Sequence, residues 1–359
     1  MSLQREIVSI QHYVHRLDTQ VYKIRPYTVS TVQVIPLACS IIYMLLYTQV
    51  NRKTFRCVFY EIPEATYDAD GLPKEQFQLN APDIMLHYGT LIVDFDPGLM
   101  QKGAFKTAHP GKVQLDGPTS SLPPFTDRNV CVKQVYERRR NSNAITRMDG
   151  RHELDALTVE CNCVRWASIM LDLTYQFIAR EIKTLGKPPY PIPVLRFTRV
   201  MIAIVQNYSK EKVFLVEEWI DTDGSDHPFI KYLGNQYLQP CVSDDAPPEA
   251  HNIAKFLTFA QHVQWEKSQF SAFTSDYQGA GKLLTDPQIT SNPYVSRIWR
   301  FTVELILLFA RNLGIVFGDG NLQSAWNGFR TNHVCNSYCK FFGLTLDVPC
   351  DIPTPSISP

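Results

Sequence analysis

The chain has 359 residues, of which 45% are apolar, so its length and composition predict a globular protein of one large bilobal domain or two small domains. Basic and acidic residues both number 35. The resulting zero net charge lacks the basic excess that a nucleic-acid-binding protein normally carries. Nine cysteines without a framework spacing, and no signal-peptide run in residues 1–20, predict a reducing, cytoplasmic compartment.

Residues 1–82 carry no motif of recognisable chemistry, and we predict that they form an N-terminal extension. Within this stretch, the apolar run 36–47 reads PLACSIIYMLLY and lies in an uncharged segment that could nearly span a bilayer. Polar residues and Pro36 dilute the run, which favours a buried helix or strand. A membrane span is the alternative.

From residue 83 onward, short apolar runs with β-branched residues, bounded by turn residues, predict strands at 85–95, 103–115, 129–137, 195–206 and 212–220. Apolar periodicity and terminal charges predict helices at 153–183, 251–265, 296–314 and 322–333. Because strands come first and helices later, we expect an α+β fold in two lobes. The proline-rich tail at 348–359 is predicted to be disordered.

Two carboxylates and an amide lie close together in the segment SDYQGAGKLLTDP: Asp276, Gln278 and Asp286. Phosphoryl transfer needs oxygen ligands for Mg²⁺ and a carboxylate near the attacking hydroxyl. On a strand, Asp276 and Gln278 would face the same way, and Gly279 and Gly281 would let the chain turn back towards Asp286. An Asp-rich surface turn is the alternative interpretation.

The same segment contains Gly279–Lys282, which resembles the end of a phosphate-binding P-loop. However, Asp276 stands where the first glycine of that motif belongs, and Leu283 replaces its magnesium-binding Ser or Thr. These two differences argue against a Walker-type NTPase. The catalytic-loop signature of ordinary protein kinases is also missing.

Thiol and imidazole side chains cluster at His333, Cys335 and Cys339, which is the chemistry of tetrahedral zinc. The fourth ligand must come from elsewhere, and His262 is the candidate. Two buried cysteines beside a capping histidine are the alternative.

A lysine on a half-buried strand, Lys133, can neutralise phosphate charge in a cleft. Glu160, in the helix that follows, could hold this lysine in place. The alternatives are a surface-facing lysine and a solvated helix face.

Taken in chain order, these segments resemble the alpha-kinase family from about Gly103 to Leu346. The first half of the match comprises GAFKTAHPG, VCVKQVYE, VECNCVRWA, FLVEEWI and FIKYLGN. They resemble the glycine-and-basic turn, the strand with the ATP-binding lysine, the helix with its glutamate, the interlobe hinge and a KYNNN-like turn. The second half comprises FAQHVQWEKSQFSAFTSDYQG, LTDPQI, FGDGNL, FRTNHVCNSYC and GLTL. These resemble the catalytic segment, the second metal-binding element, the glycine-rich loop and the zinc-binding end of the family.

The resemblance implies an α+β, bilobal, kinase-like fold with a zinc-stabilised C-terminal lobe. The kinase domain would span 83–347, with an N-lobe at about 83–215, a hinge at 216–220 and a C-lobe at 221–347.

The implied activity is that of an ATP-dependent serine/threonine protein kinase that phosphorylates a protein substrate. Asp276 would orient or deprotonate the substrate hydroxyl, and Lys133, held by Glu160, would contact the ATP phosphates. The other implied nucleotide-site residues are Lys106, Glu217, Glu218, Trp219, Lys231 and Asn235. The implied Mg²⁺ ligands are Gln278 and Asp286, and the implied structural Zn²⁺ ligands are His262, His333, Cys335 and Cys339.

Two features depart from the family pattern. Gln323 replaces the final glycine of the loop that the family uses for peptide recognition, and Leu233–Gly234 alter the KYNNN-like turn. The alternatives to an active kinase are a pseudokinase or scaffold with the same fold, and a zinc-stabilised interaction module. The joint presence of Lys133, Asp276, Gln278 and Asp286 favours the enzyme.

Overall fold

The computed structural model describes residues 51–63, 84–103, 105–117, 125, 129–138, 145–206, 212–222, 228–236, 238–292, 317 and 320–346. The described strands and helices belong to one compact unit of the chain, which starts at Arg52. The apolar run 36–47, the predicted helix 296–314 and the tail 348–359 lie outside the described residues.

The described chain contains both strands and helices, which agrees with the predicted mixed class. The strands are β1 Arg52–Glu61, β2 Leu86–Asp94, β3 Gln101–Lys102, β4 Lys106–Leu115, β5 Asn129–Arg138, β6 Ile145–Arg147, β7 Arg196–Phe197, β8 Val200–Val205, β9 Val213–Glu218, β10 Ile230–Lys231, β11 Ala272–Ser275, β12 Gln278–Ala280, β13 Leu283–Thr285 and β14 Gln288–Ser291. The helices are α1 Gly150–Leu185, α2 Pro248–Lys267, α3 Gln323–Asn327, α4 Phe329–Asn332 and α5 Ser337–Phe341.

The large antiparallel sheet has the strand order β3-β4-β2-β1-β8-β9-β5-β6, and β4 also pairs with β5. This additional pairing closes six of the strands into a barrel. Side chains alternate along each strand, so one set, including Phe59, Leu91, Val132 and Phe214, fills the interior of the barrel. Outward-facing residues such as Leu215 join the core that contains α1.

The barrel includes a strand from the stretch that was predicted to be an extension. β1 lies between β2 and β8, with Phe59 opposite both His87 and Ala203. Phe55 and Phe59 are buried while Arg56 is exposed, which is the period-two pattern of a half-buried strand. The sheet therefore begins at Arg52, and the predicted boundary at residue 83 is corrected.

α1 extends the predicted helix 153–183 by a few residues at each end. The Asp149 carboxylate accepts hydrogen bonds from the backbone N–H groups of Arg151 and His152, which caps the first turn. The helix ends at Gly186, whose φ of 76° is readily adopted only by glycine. α1 contacts β9 of the barrel and β14 outside it, so it joins the two parts of the core.

A second sheet has the order β10-β12-β13-β7, and β11 pairs with β14 in a separate hairpin. β7 pairs in parallel with β13, and the chain then enters β8 of the barrel. The small sheet is thereby placed at the edge of the barrel near β9. α2 is buried along most of its length and packs on α1 and β11.

The predicted helix 322–333 is two short helices, α3 and α4, which are separated at Gly328. Glycine is a poor helix former because it loses the most backbone entropy, and a break at this residue is consistent with that cost. Among the described residues, no helix has both the length and the apolar character needed to cross a membrane.

Candidate active site and metal cluster

Five charged side chains form a continuous chain of ion pairs where the barrel meets α1 and the small sheet. Lys106 Nζ lies 2.7 Å from Glu160 Oε2 and 2.8 Å from Asp286 Oδ1. Lys133 Nζ lies 2.9 Å from the same Asp286 oxygen and 2.8 Å from Glu217 Oε2. One aspartate therefore bridges two lysines, each of which has a second carboxylate of its own.

The network is buried at Lys133 and Glu217 and partly exposed at its other three members, and it remains charged. Only 6% of the Lys133 side chain and 3% of the Glu217 side chain are exposed. Burial lowers the pKa of Lys106 and of Lys133, but Asp286 and the second carboxylate of each lysine outweigh it, so both pKa values lie above the usual range. Burial raises the pKa of Asp286, but the two lysines outweigh it and hold that pKa well below its usual value. The two ammonium groups and three carboxylates sum to one negative charge, so binding of a polyanionic ligand would require a bound cation in addition to the two lysines.

The predicted pairing of Lys133 with Glu160 is wrong in this structure. Glu160 is bound by Lys106, and Lys133 takes its second carboxylate from Glu217. The reason is the register between β5 and β9, which places Lys133 opposite Leu215 and Cys131 opposite Glu217. Lys133 and Glu217 are therefore diagonal neighbours on one face of the barrel, within reach of long side chains.

The motif analysis did not single out Thr285, which supports this pair. Its buried hydroxyl donates to Glu217 Oε2 at 2.8 Å and lies 3.4 Å from Lys133 Nζ. Thr285 directly precedes Asp286, so consecutive residues contact the same lysine. A sequence signal existed in the LTDP element, whose threonine hydroxyl can bond to a neighbouring charged group.

Asp276 lies in the short connection between β11 and β12, with a φ of 56°. The expectation that it shares a strand face with Gln278 is therefore corrected, because its backbone is left-handed rather than extended. Its Oδ1 lies 2.7 Å from Lys231 Nζ. Burial raises the pKa of the Asp276 carboxyl, and Lys231 offsets part of that rise.

The β12–β13 hairpin carries both predicted magnesium ligands, Gln278 in β12 and Asp286 directly after β13. Gln278 is the cross-strand partner of Thr285, and Asp286 follows immediately. A side chain at Gly279 would collide with the backbone oxygen of Leu283, so the tight hairpin requires glycine there. The residue opposite Gln278 is thus directly followed by Asp286, and both residues carry hard-oxygen donors.

The predicted hinge residues lie at the end of β9. Glu218 accepts a bidentate pair of hydrogen bonds from Arg196 of β7, both at 2.7 Å. This contact ties the end of the barrel strand to the small sheet. Trp219 is partly buried directly after β9. The role of Glu217, Glu218 and Trp219 around an adenine stays a prediction.

The region of the glycine-rich loop is described only from Gly320 onward, apart from Phe317. A Cβ at Gly320 would collide with the side chain of Gln288, so the chain approaches β14 closely there. Asn321 accepts a hydrogen bond from the backbone N–H of Ser291 at 2.8 Å. Gln323, which replaces the family glycine, is exposed as the first residue of α3.

The four predicted zinc ligands converge. One donor atom from each of His262, His333, Cys335 and Cys339 lies within 4.8 Å of every other. Cys335 Sγ lies 3.6 Å from His262 Nδ1, and Cys339 Sγ lies 3.8 Å from His333 Nε2. Tetrahedral zinc, at about 2.3 Å from sulfur and about 2.0 Å from nitrogen, separates such ligands by about 3.5 Å. The spacing therefore fits zinc.

Local structure fixes the direction of each of these side chains. His262 lies in α2, His333 follows α4, and Cys339 lies in α5. The side-chain oxygen Oδ1 of Asn336 caps α5 by accepting hydrogen bonds from the backbone N–H groups of Tyr338 and Cys339. The ring of Phe329 stacks on that of His333, with centroids 5.1 Å apart.

The protonation states also suit metal binding. Burial, and then the neighbouring His262, lower the pKa of His333 to about 3, and burial lowers the pKa of His262. Both imidazoles are therefore neutral donors at physiological pH. Burial raises the pKa of Cys339 to about 12, so a metal must displace the thiol proton on binding.

A sequence profile of the Alpha-kinase family matches residues 101–339, which is more than half of the chain. Eukaryotic elongation factor 2 kinase of Mus musculus is 28% identical over 160 residues, covering 44% of this chain and 17% of that protein. The Homo sapiens protein of the same name is 27% identical over 159 residues, with the same coverage of both chains. The match thus spans 17% of the length of these curated relatives.

Two solved structures of the alpha-kinase domain of myosin-II heavy chain kinase A are similar to this chain. The apoenzyme structure has a TM-score of 0.45 at 16% identity and covers 82% of this chain and 98% of its own. The structure of the complex with ADP has a TM-score of 0.46 at 17% identity, with the same coverage.

Proposed function

The chain belongs to the alpha-kinase family, and we propose that it is an ATP-dependent protein kinase that transfers the γ-phosphoryl group to a serine or threonine hydroxyl. The observation that carries this proposal is the pair of lysines joined by Asp286. A second carboxylate, Asp276, is held by Lys231 and lies within electrostatic range of Asp286 and Lys106. Phosphoryl transfer depends mainly on positioning and electrostatic stabilisation, and these are the groups it requires.

Lys106 and Lys133 are proposed to bind the ATP phosphates. Glu160 and Glu217 hold the two ammonium groups from behind through ion pairs of 2.7 and 2.8 Å. When the phosphates provide negative charge, both lysines can exchange their contact with Asp286 for a phosphate oxygen and still keep one carboxylate partner. This exchange leaves Asp286 available as a metal ligand.

Magnesium fits the donor set of Gln278 and Asp286, because amide and carboxylate oxygens are its usual protein ligands. The bound ion would neutralise charge on the phosphates. Asp276 is proposed to orient the substrate hydroxyl and accept its proton on a carboxylate oxygen. Lys231, at 2.7 Å, favours the ionised form of Asp276 that this role requires.

Zinc is proposed to be held by His262, His333, Cys335 and Cys339. Two neutral imidazoles and two thiolates complete a tetrahedron and leave no open position, so the ion would be structural. It would join α2 to the segments around α4 and α5 in a zinc-stabilised C-terminal lobe, and the barrel would be the N-terminal lobe. We propose a cytosolic location, since the nine cysteines lack the spacing of a disulfide framework and suit a reducing compartment.

The test is an assay of purified protein with γ-labelled ATP, Mg²⁺ and a generic basic protein, followed by phosphoamino-acid analysis. Lys133→Ala should weaken nucleotide binding and lower transfer by at least about 100-fold. Lys112→Ala is the matched control, because Lys112 is an exposed lysine on β4 and should leave transfer unchanged. A wild-type protein that labels no serine or threonine, or a fully active Lys133→Ala variant, contradicts the proposal.

A further inference from the structure

Ser275, the last residue of β11, directly precedes Asp276 and is fully buried. Its hydroxyl donates to Asn235 Oδ1 at 2.8 Å. Ser275 Oγ also lies 3.1 Å from the Thr290 hydroxyl on β14. Because Ser275 has one proton to donate and Asn235 offers a carbonyl oxygen, Thr290 is the donor in the second contact. One hydroxyl thus joins three segments.

The segment that Asn235 belongs to also contains Lys231, the partner of Asp276. The backbone of this segment is hydrogen-bonded to Tyr277, the residue after Asp276, because the N–H groups of Tyr232 and Leu233 both donate to the Tyr277 carbonyl oxygen. These bonds fix the near end of the 231–235 turn. The Ser275–Asn235 hydrogen bond fixes its far end, so the turn is attached on both sides of Asp276.

Asp276 depends on this support more than an ordinary strand residue does. Its φ of 56° is a left-handed conformation that a non-glycine residue adopts at a cost. The direction of its carboxylate is therefore set by how firmly the flanking residues are held. Half of the Lys231 side chain is exposed, so the ion pair with Asp276 does not hold the turn by burial.

We propose that Ser275 is a positioning residue for phosphoryl transfer, which acts through Asn235 to hold the Lys231 turn against Asp276. This inference rests on the proposed kinase function. It also assigns Asn235 to the support of the catalytic aspartate instead of the nucleotide, because its carbonyl oxygen is already engaged by Ser275. The expected signature is a loss in kcat with little change in the KM for ATP.

The experiment is a double-mutant cycle with Ser275→Ala, Asn235→Ala and the double variant, in which kcat, the KM for ATP, nucleotide affinity and the melting temperature are measured. Each single variant should lower kcat by about 10- to 100-fold, since a small misplacement of a catalytic group has effects of this size. The double variant should be no worse than the more damaged single variant. The KM for ATP and the nucleotide affinity should change less than about threefold.

Thr274→Val is the matched control, because Thr274 is equally buried and adjacent on β11 but faces the other side of the strand. It should keep kcat within about threefold of the wild type. Asn235 is only partly buried, so its variant still decides the question if Ser275→Ala fails to fold. A Ser275→Ala or Asn235→Ala enzyme with wild-type kcat, a change in KM alone, or strictly additive effects would overturn the inference.

The outcomes also separate this inference from the proposed function. An inactive Asp276→Ala protein alongside a fully active Ser275→Ala protein overturns the positioning role and leaves the kinase assignment in place. An inactive wild-type protein, or an Asp276→Ala protein that still transfers phosphate, overturns both.

Discussion

Glu217→Gln and Glu160→Gln should have different effects on ATP use, because the two carboxylates hold different lysines in different environments. Glu217 is 3% exposed at its side chain and lies 2.8 Å from Lys133 Nζ, while Glu160 is 21% exposed and lies 2.7 Å from Lys106 Nζ. Each substitution keeps the shape and removes the negative charge.

The larger effect belongs to Glu217. A hydrogen bond to a buried charged group contributes about 2 kcal/mol, which corresponds to a change of about 30-fold in an equilibrium constant. With Glu217 neutral, Asp286 is the remaining carboxylate partner of Lys133, so the lysine is drawn towards the proposed magnesium ligand. For Glu160, solvent screening reduces the contribution to about 1 kcal/mol, or about fivefold.

Steady-state kinetics at varied ATP concentration and direct nucleotide titration measure the two effects, and thermal unfolding shows whether each variant is folded. We expect the KM for ATP to rise about 30-fold for Glu217→Gln and about fivefold for Glu160→Gln. A Glu160→Gln variant more damaged than Glu217→Gln would refute the pairing argued from the structure. It would restore Glu160 as the partner of Lys133.

Three further predictions concern stability. Cys339→Ala should abolish stoichiometric zinc binding and give a protease-sensitive protein. Cys241→Ala, at an exposed cysteine, should do neither. A soluble, active Cys339→Ala protein, together with a wild-type protein that contains no zinc by metal analysis, would contradict the site. Phe59→Ala, inside the barrel, should lower the free energy of unfolding by about 3–5 kcal/mol in denaturant titration, and an unchanged midpoint would refute the place of β1 in the barrel. Burial raises the pKa of Glu218, but the ion pair with Arg196 outweighs burial and holds that pKa below its usual value. The contribution of this pair to stability is therefore present above about pH 5 and is lost as the pH falls through the lowered pKa. Glu218→Gln should therefore flatten the acid side of the stability profile, and an unchanged profile would show that the pair contributes nothing.

The convergence of the four His and Cys side chains could be predicted from the sequence because their chemistry and spacing are specific. His333, Cys335 and Cys339 lie within a span of seven residues, and the family resemblance added His262 as the fourth member. The structure brings these four side chains together. Residue type and order along the chain singled out Lys133, Gln278 and Asp286, and the structure brings Lys133 and Asp286 into contact; their roles stay predictions.

The pairing of the charged residues could not be predicted, because it depends on strand register and helix rotation. Nothing in the local pattern around Glu160 indicates that it faces the start of β4 and not the middle of β5. The left-handed backbone at Asp276 was missed for a similar reason, since the motif suggested a continuous strand through Gln278. β1 was not predicted, because its alternating pattern carries none of the motif residues and lies in the stretch that was interpreted as an extension.

The most direct measurement of the central claim is phosphotransfer by Asp276→Asn, compared with wild type under single-turnover conditions at saturating ATP and Mg²⁺. This substitution keeps the size of the side chain and removes the carboxylate that faces Lys231. Our account predicts nucleotide affinity within a few-fold of wild type and a transfer rate lower by about 10²- to 10⁴-fold. Transfer within about threefold of wild type, with nucleotide affinity intact, would contradict the assignment of Asp276 as the catalytic carboxylate.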